Sequence, residues 1–140
     1  MNKLFFICLF LFFSLTSNAF EVGNYLGKNE NATCKAILNK NEDKILFKYE
    51  CILSSGLVIE SALYQSYPIG HKTDVVEDDS GRYRVSLLGS EELLEYRIDR
   101  LSGEPMTWLE QISQINKGQI HYLIQLGQET KLDINLDLVN

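Results

Sequence analysis

Apolar and polar residues alternate with a period of two through much of this chain, and the first clear instance lies between residues 32 and 53. Ala32, Cys34, Ala36 and Leu38 fall on one face of one segment, and Ile45, Phe47, Tyr49, Cys51 and Leu53 on one face of the next. The polar stretch Asn39 to Lys44 separates them. That pattern predicts two strands joined by a tight turn. If the turn centres on Glu42 and Asp43, paired residue numbers sum to 85, which sets Leu38 opposite Phe47, Ala36 opposite Tyr49 and Cys34 opposite Cys51. Counting alternate pairs outward from the turn puts the cysteines at a non-hydrogen-bonded site, with Cα atoms about 4.5 Å apart. A disulfide spans such a distance. Glu-Asp is not the Asn-Gly type that two-residue hairpins favour, so a longer loop with a shifted register stays open.

Further short alternating segments follow. Leu57 to Tyr67, Thr73 to Glu77 and Arg82 to Leu88 read as strands, the last preceded by the turn Asp78-Asp-Ser-Gly81. In the last, Tyr83, Val85 and Leu87 alternate with Arg82, Arg84 and Ser86, so basic residues are expected outward. Leu93 to Leu101 fits a strand through Leu94, Tyr96 and Ile98, and also a helix through Leu94, Ile98 and Leu101. The strand is favoured, because Ser102-Gly103 closes it as a turn and Glu95 and Asp99 would suit Arg82 and Arg84 across strands. Over 105–117, Trp108, Ile112 and Ile115 fall at helical spacing, Pro105 suits a first turn and Gly118 a stop, which predicts one short helix. Two closing runs, Ile120 to Leu126 and Leu132 to Leu138, flank Gly127-Gln-Glu-Thr130 and predict a hairpin.

Eight or nine short strands with one short helix predict a mainly β fold, an antiparallel meander forming a small barrel or a two-sheet sandwich. The segment Gly23-Asn-Tyr25-Leu-Gly27 resembles the first strand of small lipocalin-like barrels over five residues, and it brings no functional residue with it.

Before this pattern begins, Lys3 precedes an apolar run from Leu4 to Phe13 and then a polar stretch ending Ser17-Asn-Ala19. This is the three-part form of a cleavable signal peptide, with small side chains at Ser17 and Ala19 and cleavage expected after Ala19. The run is shorter than the roughly 20 apolar residues that span a bilayer, so no membrane anchor is expected in the mature form. Cys8 is not a lipid attachment site, since Ile7 is bulky where a small residue is required. The chain then divides into a signal peptide, 1–19, and one domain, 20–140, that is exported to a periplasmic or extracellular space.

Composition alters this picture in two ways. The chain has 13 basic and 19 acidic residues. Loss of Lys3 with the signal leaves 12 against 19, a net charge of −7, which repels nucleic acid and anionic lipid; solubility is its ordinary meaning, and a basic protein partner is the sharper alternative. Loss of Cys8 leaves Cys34 and Cys51 as an even pair in a compartment that permits disulfides.

Candidate chemistry is sparse. The imidazoles are His71, near Asp74 in an expected loop, and His121, on the polar face of an expected strand. Neither comes with a nucleophile, so no catalytic residue is assigned and an enzyme is not expected. No zinc pattern occurs. Asp74, Glu77, Asp78 and Asp79 put four carboxylates in six residues, which would suit Ca²⁺, but their spacing is not that of a twelve-residue calcium loop and a solvated acidic turn is the preferred reading. Asp133, Asn135 and Asp137 are the wet face of a strand. Asn31-Ala-Thr33 matches a glycosylation acceptor. No cofactor is implied. Tyr64, Tyr67, His71 and Trp108 are the candidate binding residues, either as an exposed patch for a protein or as the lining of an apolar cavity. The sequence therefore predicts an exported, non-enzymatic binding protein, an inhibitor or envelope-associated interaction domain, with a small lipocalin-like barrel that carries an apolar ligand in its interior as the alternative.

Overall fold

The computed structural model describes residues 20–41, 44–60, 64–65, 70–90 and 92–139. The expected signal peptide lies outside the described residues, as do the turn pair Glu42 and Asp43, Tyr67, and the side chain of Tyr64.

Eleven strands make up the described fold: β1 (Gly23–Lys28), β2 (Ala32–Asn41), β3 (Lys44–Leu53), β4 (Val58–Glu60), β5 (Tyr64–Gln65), β6 (Gly70–Asp78), β7 (Gly81–Gly89), β8 (Leu93–Arg100), β9 (Thr107–Asn116), β10 (Gln119–Leu126) and β11 (Glu129–Val139). They form one antiparallel sheet in the order β4-β3-β2-β1-β11-β10-β9-β8-β7-β6, with β5 also paired to β3. Most neighbours in the sheet are neighbours in sequence. The exception is β1, which pairs with β11 at Asn24–Val139, Tyr25–Leu138 and Leu26–Asp137 and so joins one meander to the other.

The β2–β3 hairpin has the register that the alternation predicts. Its pairs run from Asn41–Lys44 through Leu38–Phe47 and Ala36–Tyr49 to Cys34–Cys51, each summing to 85. A disulfide links Cys34 to Cys51 across a Cα separation of 4.1 Å. The closing hairpin is β10–β11, with Ile120, Tyr122 and Ile124 set against Leu136, Ile134 and Leu132. Residues 93–100 are strand rather than helix, forming β8 with Leu101 just beyond it, and Arg84 lies directly opposite Asp99 as the charge pattern implies. Burial alone would raise the Asp99 carboxyl, but hydrogen bonds from Thr107 and Arg97 and the charge of Arg84 hold it below its ordinary value.

The expected helix over 105–117 is absent: residues 107–116 form β9, laddered to β8 on one side and β10 on the other. Trp108, Ile112 and Ile115 do share a helical spacing, but flanking strands pair with β9 on both sides over most of its length, skipping Ile115 at a bulge, and that tertiary demand overrides the local preference. The barrel or sandwich is likewise corrected to a single sheet. Among the described residues it has two ends, β4 with β5 at one and β6 at the other, and no pairing joins them.

A single sheet acquires a core by rolling. In a flat sheet β3 and β9 would lie about 24 Å apart, five strand spacings. Yet the Tyr49 hydroxyl on β3 is 3.1 Å from Glu110 on β9, and the rings of Tyr49 and Tyr122 on β10 are 4.7 Å apart between centroids. The sheet is therefore rolled so that β3 faces β9 and β10. Tyr25, Leu38, Phe47, Cys51, Leu94, Ile120 and Leu136 are fully buried in the enclosed space. Where β1 crosses β11 the backbones approach closely: a Cβ on Gly27 would sit 2.3 Å from the carbonyl oxygen of Asn135 and 2.5 Å from a methyl of Leu136. Only glycine fits there.

Two outcomes follow from these contacts. Replacing both bridge cysteines by alanine is expected to lower stability by about 3 kcal/mol, the chain-entropy value for a loop of this length, read as a lower urea midpoint with a steeper slope, because the unbridged denatured chain is more expanded. Gly27→Ala is expected to cost roughly 1–3 kcal/mol by overpacking the β1–β11 crossing, measured in the same titration; an unchanged midpoint would mean the crossing yields freely.

Candidate functional site

The alternation that defines β9 places Trp108, Glu110 and Ile112 on the inner face of the sheet, and that face carries the chain's one buried charged residue among those described. Glu110 is only 8% exposed. It lies between Tyr96 on β8 and Ile124 on β10 in the ladder. Its Oε1 accepts hydrogen bonds from the hydroxyls of Tyr49, at 3.1 Å, and Tyr122, at 3.4 Å. Phe47 packs edge-on against Tyr122, with ring centroids 5.4 Å apart, and completes an aromatic wall around the carboxyl.

Electrostatics here favour neutral forms throughout. Burial pushes the Glu110 carboxyl above its ordinary range, and the two phenol hydrogen bonds offset this only in part. Burial pushes Tyr49 up to about 12, with the nearby Glu110 charge acting in the same direction. Burial raises Tyr122 as well, and raises the half-buried Tyr96 together with the Glu110 charge. A carboxyl and phenols so arranged donate and accept hydrogen bonds from fixed positions.

The inner face continues past this cluster onto β8 and β7. Tyr96 and Trp108 are half-buried and pack against the core. Ile98 sits between Trp108 on β9 and Val85 on β7 in the ladder, and Leu87 pairs with Tyr96. Tyr83, Val85, Leu87 and Ile98 are half-buried too. On the opposite face, the strands β11, β1, β2 and β3 form a groove of about 750 Å³ whose apolar surface is Leu26, Ile37 and Val139, with Lys35, Lys48 and Glu50 beside it. Lys35 and Glu50 form an ion pair across it at 3.3 Å.

Of the candidate residues named from sequence, Trp108 belongs to the inner-face cluster. His71 does not; it lies in strand β6 rather than in a loop, exposed, with Nε2 3.1 Å from the Thr73 hydroxyl. Alternation puts His71 on the opposite face of the strand from Asp74, so the two do not meet. His121 is on the outer face as expected, 2.5 Å from Asp133. Asp74, Glu77, Asp78 and Asp79 are all exposed, and among the described residues no three metal-ligating side chains converge. Asp78 instead accepts hydrogen bonds from the main chain and hydroxyl of Ser80. Asn31 is exposed at the β1–β2 turn.

Sequence reasoning missed Glu110. The signal was available, since a lone carboxylate falls between Trp108 and Ile112 on the apolar face once β9 is read with period two.

No protein-family model matches this chain, and none of the curated proteins matches it.

Glu110→Gln keeps an acceptor for both phenols while removing the ionisable group. Because the folded-state value is raised above 4.5, the wild-type contribution is complete below that pH and is lost as pH rises through the raised value. The variant is therefore expected to equal the wild type near pH 4 and to exceed it at pH 8, by on the order of 1 kcal/mol. Urea midpoints across that range measure it, and parallel curves would show that folding leaves the titration of Glu110 unshifted.

Proposed function

We propose that this chain is an exported, non-catalytic binding protein that grips another protein on the inner face of β7, β8 and β9. One observation carries the reading. The apolar face that forms the filled core does not stop at the last buried residue but continues through Trp108, Ile98, Tyr96, Leu87, Val85 and Tyr83, all half-buried. Contiguous apolar surface of this kind marks interaction sites, and aromatic anchors are favoured in them. Asp74 and Asp78 lie with Lys72 on the same side of the adjoining β6, Arg100 stands over the Tyr83 ring at the far end of the face, and the whole chain carries a formal charge of −6. A partner with an apolar segment bordered by basic residues suits this face. The phenols and the carboxyl at its inner end are buried and bonded to one another, and they hold the strands that carry this face in place.

Export is part of the proposal. The three-part leader and the Cys34–Cys51 bridge support it, and among the described residues no helix is long and apolar enough to cross a membrane.

A second reading, carriage of an apolar small molecule, draws on the outer groove, whose volume lies within the ordinary range of small-molecule sites. The two readings separate by where a charge does harm. Capture of a partner from native extract is expected to be lost on Ile98→Glu, to survive Ile37→Glu, and to weaken as salt rises. Capture that tolerates Ile98→Glu defeats the inner-face reading, and an apolar ligand released only by Ile37→Glu favours the groove. For export, intact mass and N-terminal sequencing of protein from the exported fraction are expected to begin at Phe20; a retained leader defeats it.

A further inference from the structure

The longest free edge of the sheet is β6. All nine residues from Gly70 to Asp78 are exposed, including Val75 at 51% and Val76 at 47%, and among the described residues this strand pairs only with β7. Which of its main-chain groups are available follows from its neighbour. The amide of Leu101 donates to the carbonyl of Arg82 at 2.7 Å, so even-numbered residues of β7 face β8 and odd-numbered ones face β6. Gly70, Lys72, Asp74, Val76 and Asp78, which stand opposite the odd-numbered residues, are therefore bonded to β7. His71, Thr73, Val75 and Glu77 turn their N–H and C=O groups to the open side.

We propose that this edge pairs antiparallel with the same edge of a second copy of the chain, joining two sheets across a two-fold axis. Only edge-facing residues can exchange main-chain hydrogen bonds, so paired numbers must sum to an even total. At 148, Asp74 meets Asp74 of the second copy, and like charges directly opposite are destabilising. At 146, Lys72 meets Asp74, but Glu77 and Asp78 extend beyond the partner's strand. At 150, Val75 meets Val75 on the axis, Thr73 meets Glu77, and Lys72 meets Asp78 twice. No like charges face each other within the strands in this last register, and the only self-pair is apolar. Register 146 faces no like charges either, and 150 is preferred because it keeps the charged Glu77 and Asp78 within the ladder, pairs Lys72 with Asp78 and sets the self-pair at apolar Val75 instead of Thr73. Three hydrogen-bonded pairs then supply roughly six main-chain hydrogen bonds. Within one copy Lys72 already lies 3.5 Å from Asp74, and Asp78 of the second copy would add another carboxylate to the same row. This pairing is independent of the binding role of the inner face, since it uses main-chain groups at the edge of the sheet.

Sedimentation velocity on protein expressed from the full chain is expected to show a concentration-dependent monomer–dimer equilibrium. Thr73→Pro, which removes an edge-facing N–H, is expected to abolish the dimer. Lys72→Asp is expected to raise the dissociation constant roughly tenfold, because the two-fold repeats each like-charge contact, and Lys72→Asp with Asp78→Lys to restore it. Val75→Cys is expected to give a disulfide-linked dimer on mild oxidation and Thr73→Cys is not. Circular dichroism confirms that each variant is folded. A monomer at every concentration, open-ended oligomers, a dimer that survives Thr73→Pro, or cross-linking at Thr73 instead of Val75 would each overturn the proposal.

Discussion

Pairing of β1 with β11 is the constraint on which the other features depend. Each remaining pair in the sheet joins strands close in sequence, so β1 to β5 and β6 to β11 are two meanders that local turns alone can build. The ladder that joins them spans only Asn24–Val139, Tyr25–Leu138 and Leu26–Asp137, reinforced by the Asn29 side-chain amide donating to the carbonyl of Asp133 at 2.8 Å. Contacts of such sequence separation carry a large loop-closure cost before they return any stability. The buried Tyr25, with its hydroxyl bonded to the Glu21 carbonyl, and the close approach at Gly27 pack this junction closely.

Once the meanders are joined, the roll of the sheet decides the chemistry of the interior. Glu110 would stand on an open apolar face if β9 lay in a flat sheet, hydrated and ordinary. Bringing β3 across to it supplies the Tyr49 hydroxyl and withdraws water, and β10 supplies that of Tyr122. Burying a carboxyl costs stability unless its oxygens find donors. Two phenols are suitable donors, because their rings fill apolar space while their hydroxyls meet the acid. The polar cluster is thus a product of tertiary closure rather than of any local motif.

That distinction explains what was legible in the sequence. The β2–β3 register and its disulfide followed from alternation and from counting outward from one turn, since hairpin pairing is fixed locally. The closing hairpin was legible for the same reason, with Ile120, Tyr122 and Ile124 facing Leu136, Ile134 and Leu132. The segment 107–116 misled because polar residues occupy two of its inner-face positions, Glu110 and Gln114. This breaks the period-two pattern and leaves Trp108, Ile112 and Ile115 to suggest a helix. Whether a meander of this length closes, stacks or stays open depends on how β3 meets β9, which no window of sequence contains. The site suffered likewise. Trp108 was named for being aromatic, but Glu110, Tyr49 and Tyr122 come from three separate strands, and only the roll assembles them.

The two ends of the sheet differ in a way that bears on function. At one end β4 is three residues long, and a short edge offers little to an incoming strand. At the other, β6 is nine residues long, and its neighbours β7 and β8 carry apolar residues on the inner face that the chain's own core covers only in part. Charges at Lys72, Asp74, Glu77 and Asp78 oppose indiscriminate pairing with apolar strands, because an unmatched charge beside a new strand loses hydration without gaining a partner. They do not oppose a strand whose charges are complementary. The strands that hold the disulfide and the rolled core bury their inner face within the chain, whereas β6 to β8 present an open edge and an inner face that is only half covered. The proposed binding role is placed on β7 to β9 because the apolar inner face there continues beyond the core and is only half covered by the chain itself.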